Sequence, residues 1–264
     1  MLKKPPGKRE NFISEKIDRQ LLDFKSGVDF VILFFKEFSF KTLVWSEFVH
    51  QCYQIGLKSL GLISLTGFVT GLVFTQQSRP SLLDFGAESW LPSLVSIAIV
   101  RALAALVTAI IAAGKVGSNI GAELGSMRVT EQIDAMEVSA VRPFNFLVIT
   151  RVLACTISIP ILSFYTAAVA LAGSFINVYV NEQTNLRAFL FDAFDSITFL
   201  DLGSSLIKAI LFGFTIGMVS CYSGYNASKG TIGVGKAANT SVVRSIFLIF
   251  IIEIFVVQVT NSFR

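Results

Sequence analysis

Five apolar runs limit what this chain can fold into. They cover residues 55–76, 91–114, 146–180, 202–222 and 241–260. An α-helix rises about 1.5 Å per residue, so about 20 apolar residues cross a hydrocarbon core of about 30 Å. In lipid the backbone must satisfy its own hydrogen bonds, which leaves helices or closed barrels. Runs of this length, without two-residue alternation, predict an all-α polytopic integral membrane protein with five transmembrane helices. The third run contains Pro160, which predicts a kink or tilt.

Charge is concentrated where water is expected. Nine of the 22 Lys and Arg residues and seven of the 18 acidic residues lie within the first 50 positions. Residues 115–151 carry Lys115, Arg128, Arg142 and Arg151, and residues 222–244 carry Lys229, Lys236 and Arg244 without an acid. These basic segments fall on one side of the membrane, which places the N-terminus inside and the C-terminus outside. The net charge of +4 is accounted for by those loops, so nucleic acid is not an expected partner. Residues 1–50 read as a cytoplasmic arm, and 51–264 as the transmembrane domain. Within the arm, Phe30, Phe34, Phe35 and Phe38 sit at helical spacing, predicting an interfacial amphipathic helix over 28–45 with Trp45 at headgroup level. The polar start of the chain leads us to expect no secretory signal.

Catalytic chemistry has little to draw on. His50 is the only histidine, and Cys52, Cys155 and Cys221 stand far apart in apolar surroundings. No metal site, cofactor or catalytic triad is expected, and the chain is read as not an enzyme. Residues 230–237 nearly spell a phosphate-binding loop, but Ala237 stands where a Mg²⁺-holding hydroxyl is needed. Any ATP-driven activity therefore calls for a separate ATPase subunit.

Two groups of residues suggest function. Residues 122–138 have helical periodicity, an apolar face of Leu124, Met127, Ile133 and Met136, and an acidic face including Glu123 and Glu131. They predict a cytoplasmic coupling helix that docks on a soluble subunit through Glu123, Leu124, Met127, Arg128 and Glu131. The second group is the charges inside spans, which are costly there. Arg101 lies about 15 Å into the second run. Lys208 and Glu253 come out about 9 and 12 Å below the outer face, so they are expected to pair, with Asp201 two turns from Lys208 on the same helical face. Arg101 is the competing partner for Glu253. Gly67 and Gly71, and Gly213 and Gly217, form small-xxx-small pairs that serve either internal packing or a dimer seam.

Four ordered blocks then resemble one family. "TGLVFTQQ" (70–77), "AELGSMRVTEQIDAMEV" (122–138), "VRPFNFLVITRVLA" (141–154) and "GYNASKGTIGVGKAANTSVV" (224–243) are similar to the signatures of MlaE/YrbE-type permeases, the membrane subunits of lipid-transporting ABC systems. The resemblance runs from about residue 50 to 260. Two departures stand out: Arg142 replaces a usual Asp, and Arg101 is followed by Ala102 where the family has Glu.

The resemblance implies movement of phospholipid or a related lipid between membranes. It implies a homodimer with a lipid pocket between its halves, a cytoplasmic ABC ATPase and an extracytoplasmic MCE-domain protein. Gln77, Phe85 and Arg101 match family positions near that pocket, and the homodimer favours the seam reading of the glycine pairs. The expected location is a bacterial inner membrane, with a plastid inner envelope as alternative. The rival function is an ion- or proton-coupled secondary transporter that uses the membrane charges as a relay; no inverted repeat supports it.

Overall fold

The computed structural model describes residues 22, 25–38, 43–182 and 184–262. Its contacts divide the chain into two units, Met1–Thr42 and Leu43–Arg264. In the first unit, α1 covers residues 25–37. Phe34 stacks on Phe38 with ring centroids 6.0 Å apart and meets Phe35 edge-on at 5.5 Å. The helix expected over 28–45 is therefore displaced. It starts earlier and stops before Phe38, residues 39–42 lie outside the described residues, and Trp45 opens the next helix.

The second unit holds five helices long and apolar enough to cross a membrane: α2 (Trp45–Asp84), α3 (Glu88–Val129), α5 (Phe144–Asn181), α7 (Phe199–Tyr225) and α8 (Thr231–Ser262). Two short helices, α4 (Gln132–Val138) and α6 (Leu186–Asp195), sit at opposite ends of the bundle by chain order. No strand occurs among the described residues. The chain is an all-α polytopic membrane protein. Several helices outrun the apolar segments that announce them. α3 has 42 residues, about 63 Å of helix against a core of about 30 Å, so its later turns project beyond the bilayer.

The bundle is built around α5. In the most apolar stretch of each helix, 72% of residues are buried in α5 but only 17% in α8. α5 packs on α2, α7 and the middle of α3, while α7 packs on α8 and on the projecting part of α3. Close approach depends on glycine. A Cβ at Gly71 would lie 1.8 Å from the Ala170 carbonyl oxygen, and one at Gly173 would lie 2.4 Å from that of Phe68. Gly213 and Gly217 likewise face Cys155 and Val152 of α5. Both small-xxx-small pairs are thus occupied inside one chain, and the homodimer-seam reading of them is overturned. Side-chain hydrogen bonds reinforce these seams: Thr75 Oγ1 donates to Ser174 Oγ at 2.7 Å, and Thr108 and Thr166 share one at 2.6 Å.

Three π-helical turns interrupt the spans, at Ile99–Leu103, Ala113–Gly117 and Phe144–Ile149. A π-turn inserts an extra residue and rotates everything beyond it by about 100° relative to an unbroken α-helix. The first of them carries Arg101.

Candidate functional site

Arg101, Asp201, Lys208 and Glu253 converge on one cluster between α3, α7 and α8. Asp201 occupies the third position of α7, where it closes a capping box: Thr198 donates to Asp201 Oδ2 from its backbone nitrogen at 3.2 Å and from Oγ1 at 2.6 Å. Its other oxygen, Oδ1, lies 3.8 Å from Arg101 Nε. Two turns further along α7, Lys208 Nζ donates to Glu253 Oε1 of α8 at 2.6 Å and to the Arg101 carbonyl oxygen, inside the π-turn, at 3.2 Å. Arg101 Nη2 also reaches Asn261 Oδ1 at 2.5 Å. Two cations and two anions therefore close on each other, which suits a low-dielectric setting where an isolated charge is costly.

Beside this cluster the face of α8 that carries Glu253, Ile254, Val257, Gln258, Asn261 and Ser262 is open, with about 540 Å³ of space along it. These residues recur at helical spacing and mix carboxylate, amide and hydroxyl groups with aliphatic ones. Glu253 Oε2 is buried without a hydrogen-bond partner. Gln77 and Phe85 lie exposed at the end of α2, and no described contact joins them to Arg101.

A second site lies at the other end of the bundle. The helix expected over 122–138 is two pieces. Thr130 turns its hydroxyl back onto the Ser126 carbonyl, Glu131 takes a left-handed φ of 59°, and α4 begins at Gln132. The Arg128–Asp134 ion pair spans the break, and Ile133 anchors α4 by burial. Glu131 is exposed, and Met127 and Arg128 are half-buried. Leu124 is fully buried against Gly224 of α7, so it belongs to the bundle core and not to an outward docking face.

Sequence reasoning missed Arg151. Grouped by position with the basic loop residues, it is in fact buried in α5 with 2% of its side chain exposed. Arg151 Nη2 donates to Glu123 Oε1 at 2.7 Å, and Nη1 donates to the Leu147 carbonyl at 3.0 Å. It staples the projecting part of α3 to the π-turn of α5. The only signal in the sequence is that Arg151 lies inside the apolar run of residues 146–180, whereas Arg142 precedes it. The partners of Arg101, Asp201 and Asn261, were missed as well. They lie 100 and 160 positions away, and no spacing rule links them. Among the described residues no group of histidine, cysteine and acidic side chains is placed to hold a metal.

Known proteins similar to the chain span most of its length. The family model for the MlaE permease matches residues 48–259. A probable ABC transporter permease protein of Rickettsia prowazekii is 37% identical over 209 residues, covering 79% of this chain and 81% of that protein. Another from Synechocystis is 33% identical, covering 78% and 79%. One from Pyropia yezoensis is 34% identical, covering 82% and 84%. Matched across nearly all of its membrane-spanning unit, and aligned with permeases over most of their length, the chain belongs to the MlaE permease family.

Proposed function

We propose that this chain is the membrane-spanning permease of an ABC transport system that moves phospholipid or a related lipid between membranes. ATP would be hydrolysed by a separate cytoplasmic subunit, so the chain itself is not an enzyme. The observation that carries the lipid reading is the placement of Arg101. It is held on a π-turn, ion-paired but still partly exposed, beside an open face of α8 on which Ile254 and Val257 stand among Glu253, Gln258, Asn261 and Ser262. An anionic headgroup suits the guanidinium, and acyl chains suit the aliphatic stripe. Gln77 and Phe85 are assigned to the same pocket on family resemblance.

The naming of the relatives as ABC transporter permeases supports an ATPase partner. Its docking site is the end of α3 with α4, where Glu123, Met127, Arg128 and Glu131 remain accessible. A homodimer with the pocket between its halves is part of the reading. The weakly enclosed face of α8, which borders Arg101, is the surface that supports it. An extracytoplasmic MCE-domain protein completes the assembly. The basic segments put the N-terminus and α4 inside and the end of α8 outside. The host membrane is a bacterial inner membrane, or a plastid inner envelope, given bacterial, cyanobacterial and algal relatives. The mutual pairing of the four membrane charges favours a structural cluster over a proton relay.

The test is reconstitution of the full chain with its co-purifying ATPase in vesicles. Transfer of fluorescent phospholipid should require ATP, and Arg101→Ala should reduce the phospholipid that co-purifies with the chain. Transport that ignores ATP and follows an imposed proton gradient would overturn the reading.

A further inference from the structure

Helix α6, Leu186–Asp195, does not fit the pattern of a water-facing connector. At ten residues it spans about 15 Å, too short to cross a bilayer. Asn185 Oδ1 caps its N-terminus by accepting from the Arg187 backbone nitrogen at 3.3 Å. Its inward face is fixed: Phe189 and Ala193, one turn apart, are buried, and Phe189 packs on Phe175 of α5 with ring centroids 5.5 Å apart. Serines at the start of α3 fasten the same face, Ser93 Oγ donating to the Asp192 carbonyl at 3.2 Å and Ser96 Oγ to the Ala193 carbonyl at 3.3 Å.

With rotation fixed in this way, the outward face is defined. The adjoining stripe is Leu186, Leu190 and Phe194 at i, i+4 and i+8, followed by Phe191. These side chains are exposed, Phe191 by 70% and Phe194 by 65%. The exposed Arg187 falls between Phe194 and Phe191 within that stripe, and Asp195, Ala188 and Asp192 fill the arc between Phe191 and the buried face. In water such an aromatic stripe would forfeit about 25 cal/mol for each Å² left uncovered. Along the acyl–headgroup boundary the stripe is covered and the aspartates stay wet. Leu202, Leu206 and Ile207, at the start of α7, are exposed as well and belong to a helix long and apolar enough to cross the membrane.

We propose that α6 is an interfacial anchor, bound to the lipid surface through Leu190, Phe191 and Phe194 at the end of the bundle opposite α4. The occupant of this face is the bilayer itself, not a partner protein or a second copy. Three residues beyond α6 the chain enters the Thr198–Asp201 capping box, and Asp201 holds Arg101. The anchor therefore ties the level of the lipid surface to the position of the Arg101 cluster. It rests on the fold alone and stands whether or not lipid is the cargo.

The experiment uses the full chain in phospholipid nanodiscs, with Trp45 and Trp90 replaced by Phe and single reporters Phe191→Trp, Phe194→Trp and Ala188→Trp. Quenching by lipids spin-labelled near the headgroup should be about threefold stronger for the reporters at 191 and 194 than for that at 188. Aqueous acrylamide should give the reverse order. Acrylamide access at 191 and 194 without lipid quenching would overturn the proposal, because that face would then meet water. Shielding from both quenchers would overturn it in favour of a protein partner or second copy. Stronger quenching by labels at the chain ends would overturn it in favour of a buried helix. The two phenylalanine positions are read independently, so loss of folding in one variant leaves the other to decide.

Discussion

The Lys208–Glu253 pair offers the sharpest quantitative test. Lys208 is 1% exposed and Glu253 14%, with Nζ and Oε1 2.6 Å apart. At an effective dielectric of 20 their gross attraction is about 6 kcal/mol, most of it offset by the desolvation of two charges. Removing one partner leaves that offset uncompensated. After Lys208→Met, Glu253 keeps a buried carboxylate whose second oxygen already lacks a partner, and the cluster carries a net negative charge. After Glu253→Leu, Lys208 retains only the Arg101 carbonyl and the cluster becomes net positive. Each single change should cost about 3–5 kcal/mol, or about 6–20 °C in thermal midpoint for a chain of this size. The double variant restores neutrality, leaves Arg101 and Asp201 paired, and should lose less than about 4 kcal/mol, so the coupling energy is at least about 2 kcal/mol. The assay is the thermal midpoint of the purified full chain for wild type, both single variants and the double variant, measured by fluorescence-detected size exclusion. Additive losses would refute the reasoning, because they would mean that neither charge senses the other.

Three further outcomes are expected. Glu123→Gln should lower stability by about 3 kcal/mol, because it strands the buried Arg151 guanidinium, and Arg151→Leu by about 1, because the Glu123 it leaves behind is 52% exposed and compensated by water; thermal midpoints check the ratio. If that staple also orients the docking end, Arg151→Leu should weaken co-purification of the ATPase at temperatures where the permease remains folded. Gly71→Leu should abolish monodisperse folding, since even a Cβ meets the Ala170 carbonyl, while Gly61→Ala, which meets nothing within 4 Å, should be neutral or gain up to about 1 kcal/mol; size-exclusion profiles distinguish them.

The sequence by itself determined the class of fold and the number of spans. Hydropathy is summed over neighbours along the chain, and a helix satisfies its backbone without reference to the rest of the molecule. It also determined depth. Because rise per residue is the same in every helix, counting places Lys208 and Glu253 at one level. Rotation was decided only by the tertiary structure. Each π-turn swings the residues downstream of it by about 100° about the helix axis, and no residue pattern in the apolar runs announces one. That shift, together with the packing of α5, α7 and α8, decides that Arg101 meets Asp201 and Asn261 while Glu253 goes to Lys208. The same reason separates the two readings of the glycine pairs. Small residues in a run say that a close approach occurs, but only the placement of Gly71 on Ala170 and of Gly217 on Val152 says that both surfaces belong to one chain. Arg151 is the clearest case. Position along the chain groups it with the basic loops, and packing puts it inside, because a long α3 brings Glu123 within reach of its guanidinium.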